Sequence, residues 1–116
     1  MAFDLLKGLL SGNIEEISPK EVETKDLIVV DVRKPSDYRK GHIPGAVNLP
    51  YSKVEEKLEE VLEEVDKEKE IAVVCVRGIS SKTAVKKLME AGYEEAKSLK
   101  GGMKAWTGEV EEGYTD

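Results

Sequence analysis

Apolar residues along this chain follow two rhythms. Leu27-Ile28-Val29-Val30-Asp31-Val32 and Ile71-Ala72-Val73-Val74-Cys75 are near-continuous runs rich in β-branched side chains, the pattern of strands buried on both faces of a parallel sheet. Between them Val54, Leu58, Val61, Leu62 and Val65 recur at helical spacing among Glu and Lys, which predicts one amphipathic helix with a single apolar stripe. Ser52-Lys53-Val54-Glu55 reads as the capping box that opens it. A second start signal, Ser18-Pro19-Lys20-Glu21, combines a capping Ser, a Pro at the first helical position and a Glu two residues later. Pro35 to Lys40 reads as a short helical turn closed by Gly41, and Ile43-Pro44-Gly45 as a turn. Asn13 to Ile17, Ala46 to Leu49 and Ala96 to Leu99 complete the strands. Val76 to Ser80 is a loop, Ser81 to Ala91 a helix stopping at Gly92, and Met103 to Trp106 a short helical segment after Gly101-Gly102. Five strands alternating with helices predict an α/β three-layer domain, with a mainly parallel sheet and helices on both faces.

The chain's 116 residues suffice for one domain, placed at 13–116. Segment 1–12 reads as an amphipathic extension, with Leu5, Leu6, Leu9 and Leu10 on one helical side. A net charge of −6 and a pI near 5.0 argue against nucleic acid or an anionic membrane as the main partner, since both reward a basic face. One His rules out a His-rich metal site, and one Cys rules out an intramolecular disulfide. No apolar run approaches the roughly 20 residues of a spanning helix, and the first residues lack the basic start and long apolar stretch of a secretion signal. The expectation is a cytoplasmic protein. Gln is absent, and Glu and Lys dominate the charges, a bias shared with heat-adapted proteins.

In open parallel sheets, sites form at the carboxyl ends of strands, where loops enter helices. Cys75 stands at such an end, followed by Val76-Arg77-Gly78-Ile79-Ser80-Ser81 and a helix. A cysteine ending an apolar run is commonly an inert small hydrophobe. Here the surroundings favour chemistry. A loop curling round a strand end can aim backbone N–H groups at one point, and the helix dipole adds to that field. A thiol at the focus shifts toward thiolate, the nucleophilic form. Gly78 permits the tight curl, and Arg77 supplies a cation for an anionic substrate.

Four motifs then fall in order from about Ile14 to Trp106: Asp31-Val32-Arg33; Gly41-His42-Ile43-Pro44-Gly45-Ala46 with Asn48 and Pro50; Cys75-x-x-Gly78-x-Ser80-Ser81; and Gly101-Gly102-x-x-Ala105-Trp106. Together they resemble the single-domain rhodaneses, the thiosulfate sulfurtransferase family. The resemblance implies a rhodanese-like three-layer domain with Cys75 as sulfur-accepting nucleophile and no metal or organic cofactor. It also implies a ping-pong cycle, in which Cys75 takes the outer sulfur of thiosulfate or a related persulfide donor. The resulting cysteine persulfide passes it to cyanide or a thiol, a protein thiol included.

On the same basis Val76, Arg77, Gly78, Ile79, Ser80 and Ser81 form the substrate cradle, with Arg77 at the donor's sulfonate. The Ser80 hydroxyl either bonds the persulfide or caps the helix. Asp31 and Arg33 tie the strand end to neighbouring loops, with Asp37 a partner for Arg33, and His42 holds its turn. These three, Asp31, Arg33 and His42, are the candidates for a supporting role around the site. Tyr38 and Trp106 read as core aromatics. Two other functions remain open to this fold. A phosphatase would need an Arg six positions after the cysteine to clamp phosphate, where this chain has Ser81. A catalytically silent binding module is the alternative to the enzyme.

Overall fold

The structure, a computed structural model, describes residues 14–113. The expected helix at 1–12 lies outside them, as does Asn13. The described residues form five strands: β1 (Glu16–Ile17), β2 (Ile28–Asp31), β3 (Val47–Asn48), β4 (Ile71–Val74) and β5 (Ala96–Leu99). Among the described residues four α-helices connect or flank them: α1 (Pro19–Thr24), α2 (Pro35–Lys40), α3 (Val54–Val61) and α4 (Ser80–Glu90). Short 3₁₀ turns cover Tyr51–Lys53 and Gly102–Ala105.

The sheet order is β1-β5-β4-β2-β3, and every pairing is parallel. Alternation along β4 sorts the core into two layers. Ile71, Val73 and Cys75 face Leu58, Leu62, Val85 and Leu88 of the α3–α4 side, while Ala72 and Val74 face Val22, Tyr38, Ile43 and Leu99 on the other. Two-residue edge strands leave little unpaired backbone for another chain to add to. No described helix is long and apolar enough to cross a membrane.

The start of α1 follows the expected capping box: Ser18 accepts from the Glu21 amide, and the Glu21 side chain accepts from the Ser18 amide. The second box does not form. Ser52 lies inside the 3₁₀ turn, and Lys53 stands at the cap of α3 with no side-chain bond. The Lys53 amide donates to the Pro50 carbonyl at 2.8 Å, so the chain is already curled where a capping Ser would have to be extended. Helix α3 also ends four residues before Val65. Past its end the chain tightens into a turn, in which the Leu62 carbonyl accepts from both the Val65 amide and Tyr93 Oη at 3.0 Å. Helix α4 begins at Ser80 and ends at Glu90, one residue before the expected bounds at each end.

Candidate functional site

Strand order reverses direction at β2 and β4, which lie side by side in the middle of the sheet. Their carboxyl ends therefore open a crevice, the usual ligand site of such sheets. An open cavity of about 410 Å3 sits there, lined by Arg33, Lys34 and Asp37 after β2, Tyr51 after β3, and Cys75, Val76, Arg77, Ile79 and Ser80 after β4.

Cys75 is 5% exposed at its floor. The Gly78 N–H donates to Sγ at 3.0 Å, and Ser81 Oγ lies 3.3 Å from the sulfur. Burial pushes the thiol up, but the Ser81 side chain and the amides of Ser81, Gly78 and Arg77 outweigh it, holding the thiol below its ordinary value. The reason is that each of these groups donates toward sulfur and so favours the anion.

The loop owes its shape to the turn after β5. Met103 N–H donates to the Cys75 carbonyl at 2.8 Å, and Lys104 N–H to the Val76 carbonyl at 3.0 Å. In a planar trans peptide the N–H points opposite to its carbonyl. Pinning the Val76 carbonyl toward the turn therefore aims the Arg77 amide the other way, to the sulfur's side. Such close packing requires the glycines. A Cβ on Gly102 would lie 2.6 Å from the Cys75 carbonyl oxygen, and one on Gly78 would lie 3.1 Å from the Gly101 nitrogen; both glycines have positive φ.

Among the sequence candidates, Cys75, Val76, Arg77, Ile79 and Ser80 share the cavity, whereas Gly78 and Ser81 lie buried beneath it. Ser80 is the first residue of α4, and Ile79 occupies the cap position without a side-chain bond. Asp31 is fully buried and holds Arg33 through both carboxylate oxygens: Nε donates at 3.0 and 3.1 Å and Nη2 at 2.8 Å. Nη2 also donates to the Gly41 carbonyl at 2.7 Å. The expected Arg33–Asp37 pairing is replaced by this one, because Asp31 sits two residues away at the strand end with its carboxylate already turned to the Arg33 amide. His42 stacks on Tyr38 at 3.7 Å, with Nδ1 2.8 Å from the Tyr38 carbonyl, away from the cavity.

Three site residues escaped the sequence reading. Lys34 and Tyr51 follow strand ends, and the strand-end rule applied to β2 and β3 as well as β4 would have found them. Ser98 lies on β5 behind Ser81, with the two hydroxyl oxygens 2.7 Å apart; placing it required the strand order.

The family model for the rhodanese-like domain matches residues 18–109. The chain belongs to the rhodanese-like family. The rhodanese-like chain is 39% identical over 85 residues to the thiosulfate sulfurtransferase GlpE of Coxiella burnetii, covering 73% of this chain and 76% of that one. A structure described as a rhodanese with anions from E. coli superposes with a TM-score of 0.63 at 32% identity, covering 73% of this chain and 96% of that one. The rhodanese-related protein of Thermoplasma volcanium gives 0.69 at 29% identity, covering 79% and 89%.

Proposed function

We propose that this rhodanese-like protein is a sulfurtransferase that carries a sulfane sulfur through a Cys75 persulfide. The observation that carries the reading is one thiol held toward its anion by converging donors, at the floor of a cavity walled by Arg33, Lys34 and Arg77. GlpE relatives named for thiosulfate sulfurtransferase activity support the same chemistry.

In the first half-reaction the Cys75 thiolate attacks the outer sulfur of thiosulfate. The sulfur–sulfur bond of the donor breaks, its electron pair leaves with sulfite, and the charge passes to the outer sulfur of the enzyme persulfide. Arg77 and Lys34 meet the sulfonate end, while the amides of the loop stabilise the persulfide anion. In the second half-reaction cyanide or a thiol takes the outer sulfur, and Cys75 departs as thiolate. A related persulfide donor would enter the same way, losing its own thiolate in place of sulfite. Exposed Val76, Ile79 and Tyr51 around the mouth offer apolar contact to an acceptor with an organic body, a protein thiol included. A reactive free thiol is best kept in a reducing compartment, which favours the cytoplasm.

A thiosulfate–cyanide assay on the wild-type protein and on Cys75→Ser tests the reading. Thiocyanate from the wild type and none from the variant, with unchanged circular dichroism, is the expected result. No product from either would favour a silent binding module, and activity in Cys75→Ser would place the nucleophile elsewhere. The phosphatase alternative lacks its clamp, since Ser81 occupies the position of the required Arg and its hydroxyl faces sulfur.

A further inference from the structure

Beneath Cys75 lies a short buried chain of hydroxyls that the proposed sulfur transfer does not by itself require. Ser81 and Ser98 are both fully buried. Their oxygens are 2.7 Å apart, and Ser81 Oγ is 3.3 Å from Cys75 Sγ. Among the described residues neither hydroxyl has another side-chain or backbone partner.

The protons in this chain can be counted against its contacts. With Cys75 as thiolate, Ser98 donates to Ser81, Ser81 donates to sulfur, and both hydroxyl protons are used. With Cys75 as thiol, the hydroxyls keep this direction while the S–H turns to the open cavity. An S–H turned to Ser81 instead would reverse the chain and leave the fully buried Ser98 proton without an acceptor. A buried donor without a partner is costly. The chain therefore has a preferred direction, from Ser98 toward sulfur.

We infer that Ser98 is a positioning residue, which keeps the Ser81 hydroxyl pointed at sulfur and so makes Cys75 a better leaving thiolate when its outer sulfur is passed on. Ser98 can donate only to Ser81 Oγ, and doing so occupies the lone pair on the β5 side and polarises the Ser81 O–H. In the persulfide the negative charge sits on the outer sulfur, above the loop amides. It returns to Sγ only when cyanide or a thiol breaks the sulfur–sulfur bond, and Ser81 meets it there. The two half-reactions should feel Ser98 differently. Raising the Cys75 pKa makes it a stronger nucleophile once ionised but a poorer leaving group.

Other ionisable groups around the sulfur are Arg33, Lys34 and Asp37 after β2, Tyr51 after β3, and Arg77 on the loop. None lies on α4 or β5, so changes at Ser81 and Ser98 leave them in place.

The test measures alkylation rate against pH for wild type, Ser98→Ala, Ser81→Ala and the double variant, followed by single-turnover loading with thiosulfate and release to cyanide. Ser98→Ala should raise the alkylation midpoint by about 0.5–1 unit, and should add nothing in the Ser81→Ala background. Above the midpoint, loading should hold or quicken while release slows about two- to threefold. An unchanged midpoint would overturn the inference. So would an equal shift in the Ser81→Ala background, or equal losses in both half-reactions, because Ser98 would then act through packing. The turnover arm rests on the proposed sulfur transfer, whereas alkylation does not. A protein that accepts no sulfur would end that proposal and still leave the hydroxyl chain decided by its pH profile.

Discussion

The backbone amide of Met103 donates to the carbonyl of Cys75 at 2.8 Å, so the turn after the last strand shapes the loop that follows the candidate nucleophile. The Gly101-Gly102 pair makes that contact sterically feasible. A methyl group at Gly102 would have to share space with the Cys75 oxygen and the Val76 carbonyl, all 2.6 Å from its carbon, at a φ of +65°. Gly102→Ala should cost about 1–3 kcal/mol from the backbone conformation alone and push the loop off the sulfur. Denaturant unfolding would show the loss, and the alkylation midpoint of Cys75 should rise toward that of a free thiol. A variant with wild-type values in both measurements would separate the turn from the site.

Asp31 and Arg33 form the other rigid support. Their side chains are 1% and 10% exposed, and Arg33 spans from the end of β2 to the Gly41 carbonyl. Arg33→Ala strands a buried carboxylate, so it should destabilise the fold by about 3–5 kcal/mol. Adding Asp31→Asn should recover part of that loss, because no unpaired charge then remains. Chemical denaturation of the single and double variants checks both expectations.

The lowered Cys75 pKa also makes stability depend on pH. In the window between the folded midpoint and the ordinary thiol value of about 8.5, the unfolded chain holds a proton that the folded one has released. Stability must therefore rise with pH across that window. The contribution is complete above the unfolded value and is lost as pH falls through the folded one. Comparing urea unfolding of wild type and Cys75→Ser as pH increases should show the wild type gaining on the variant, then levelling off. Parallel curves would mean that the loop donors do not favour the thiolate.

Arg77 is exposed on the cavity wall, free to meet a donor's sulfonate. Loss of one charge-assisted contact should lower kcat/KM for thiosulfate about tenfold in Arg77→Ala. Arg77→Glu should be worse, since it sets a like charge beside a dianion. Release of sulfur from a preformed persulfide to a neutral thiol should change little, because sulfite has already gone. Equal losses in loading and release would instead make Arg77 a shaper of the loop.

Much of this was legible from residue patterns because burial writes itself locally. The unbroken runs of β2 and β4 announced central strands, and the Ser18–Glu21 box marked the start of α1. Cys75 followed by a glycine-containing loop and a helix marked the thiol that stands at the floor of the cavity. Long-range competition is what the pattern could not show. Ser52 has the sequence of a cap, yet the Val32 carbonyl anchors the neighbouring Tyr51 amide and the Lys53–Pro50 bond has already curled the chain there. The apolar stripe of α3 continues to Val65, but the chain tightens at Leu62, whose carbonyl accepts from the Val65 amide and from Tyr93, a residue beyond β4. Asp37 was a reasonable partner for Arg33 until Asp31 proved nearer. Ser98 reads as an ordinary polar residue on a strand, and only the β4–β5 pairing places it behind the Cys75 sulfur.

The most direct test of the central claim is the intact mass of the wild-type protein after incubation with thiosulfate in the absence of reductant. The chain has a single cysteine, so the site of any added sulfur is Cys75. The account predicts a gain of one sulfur atom that cyanide removes, and no gain in Cys75→Ser. A wild-type mass that stays unchanged would contradict it.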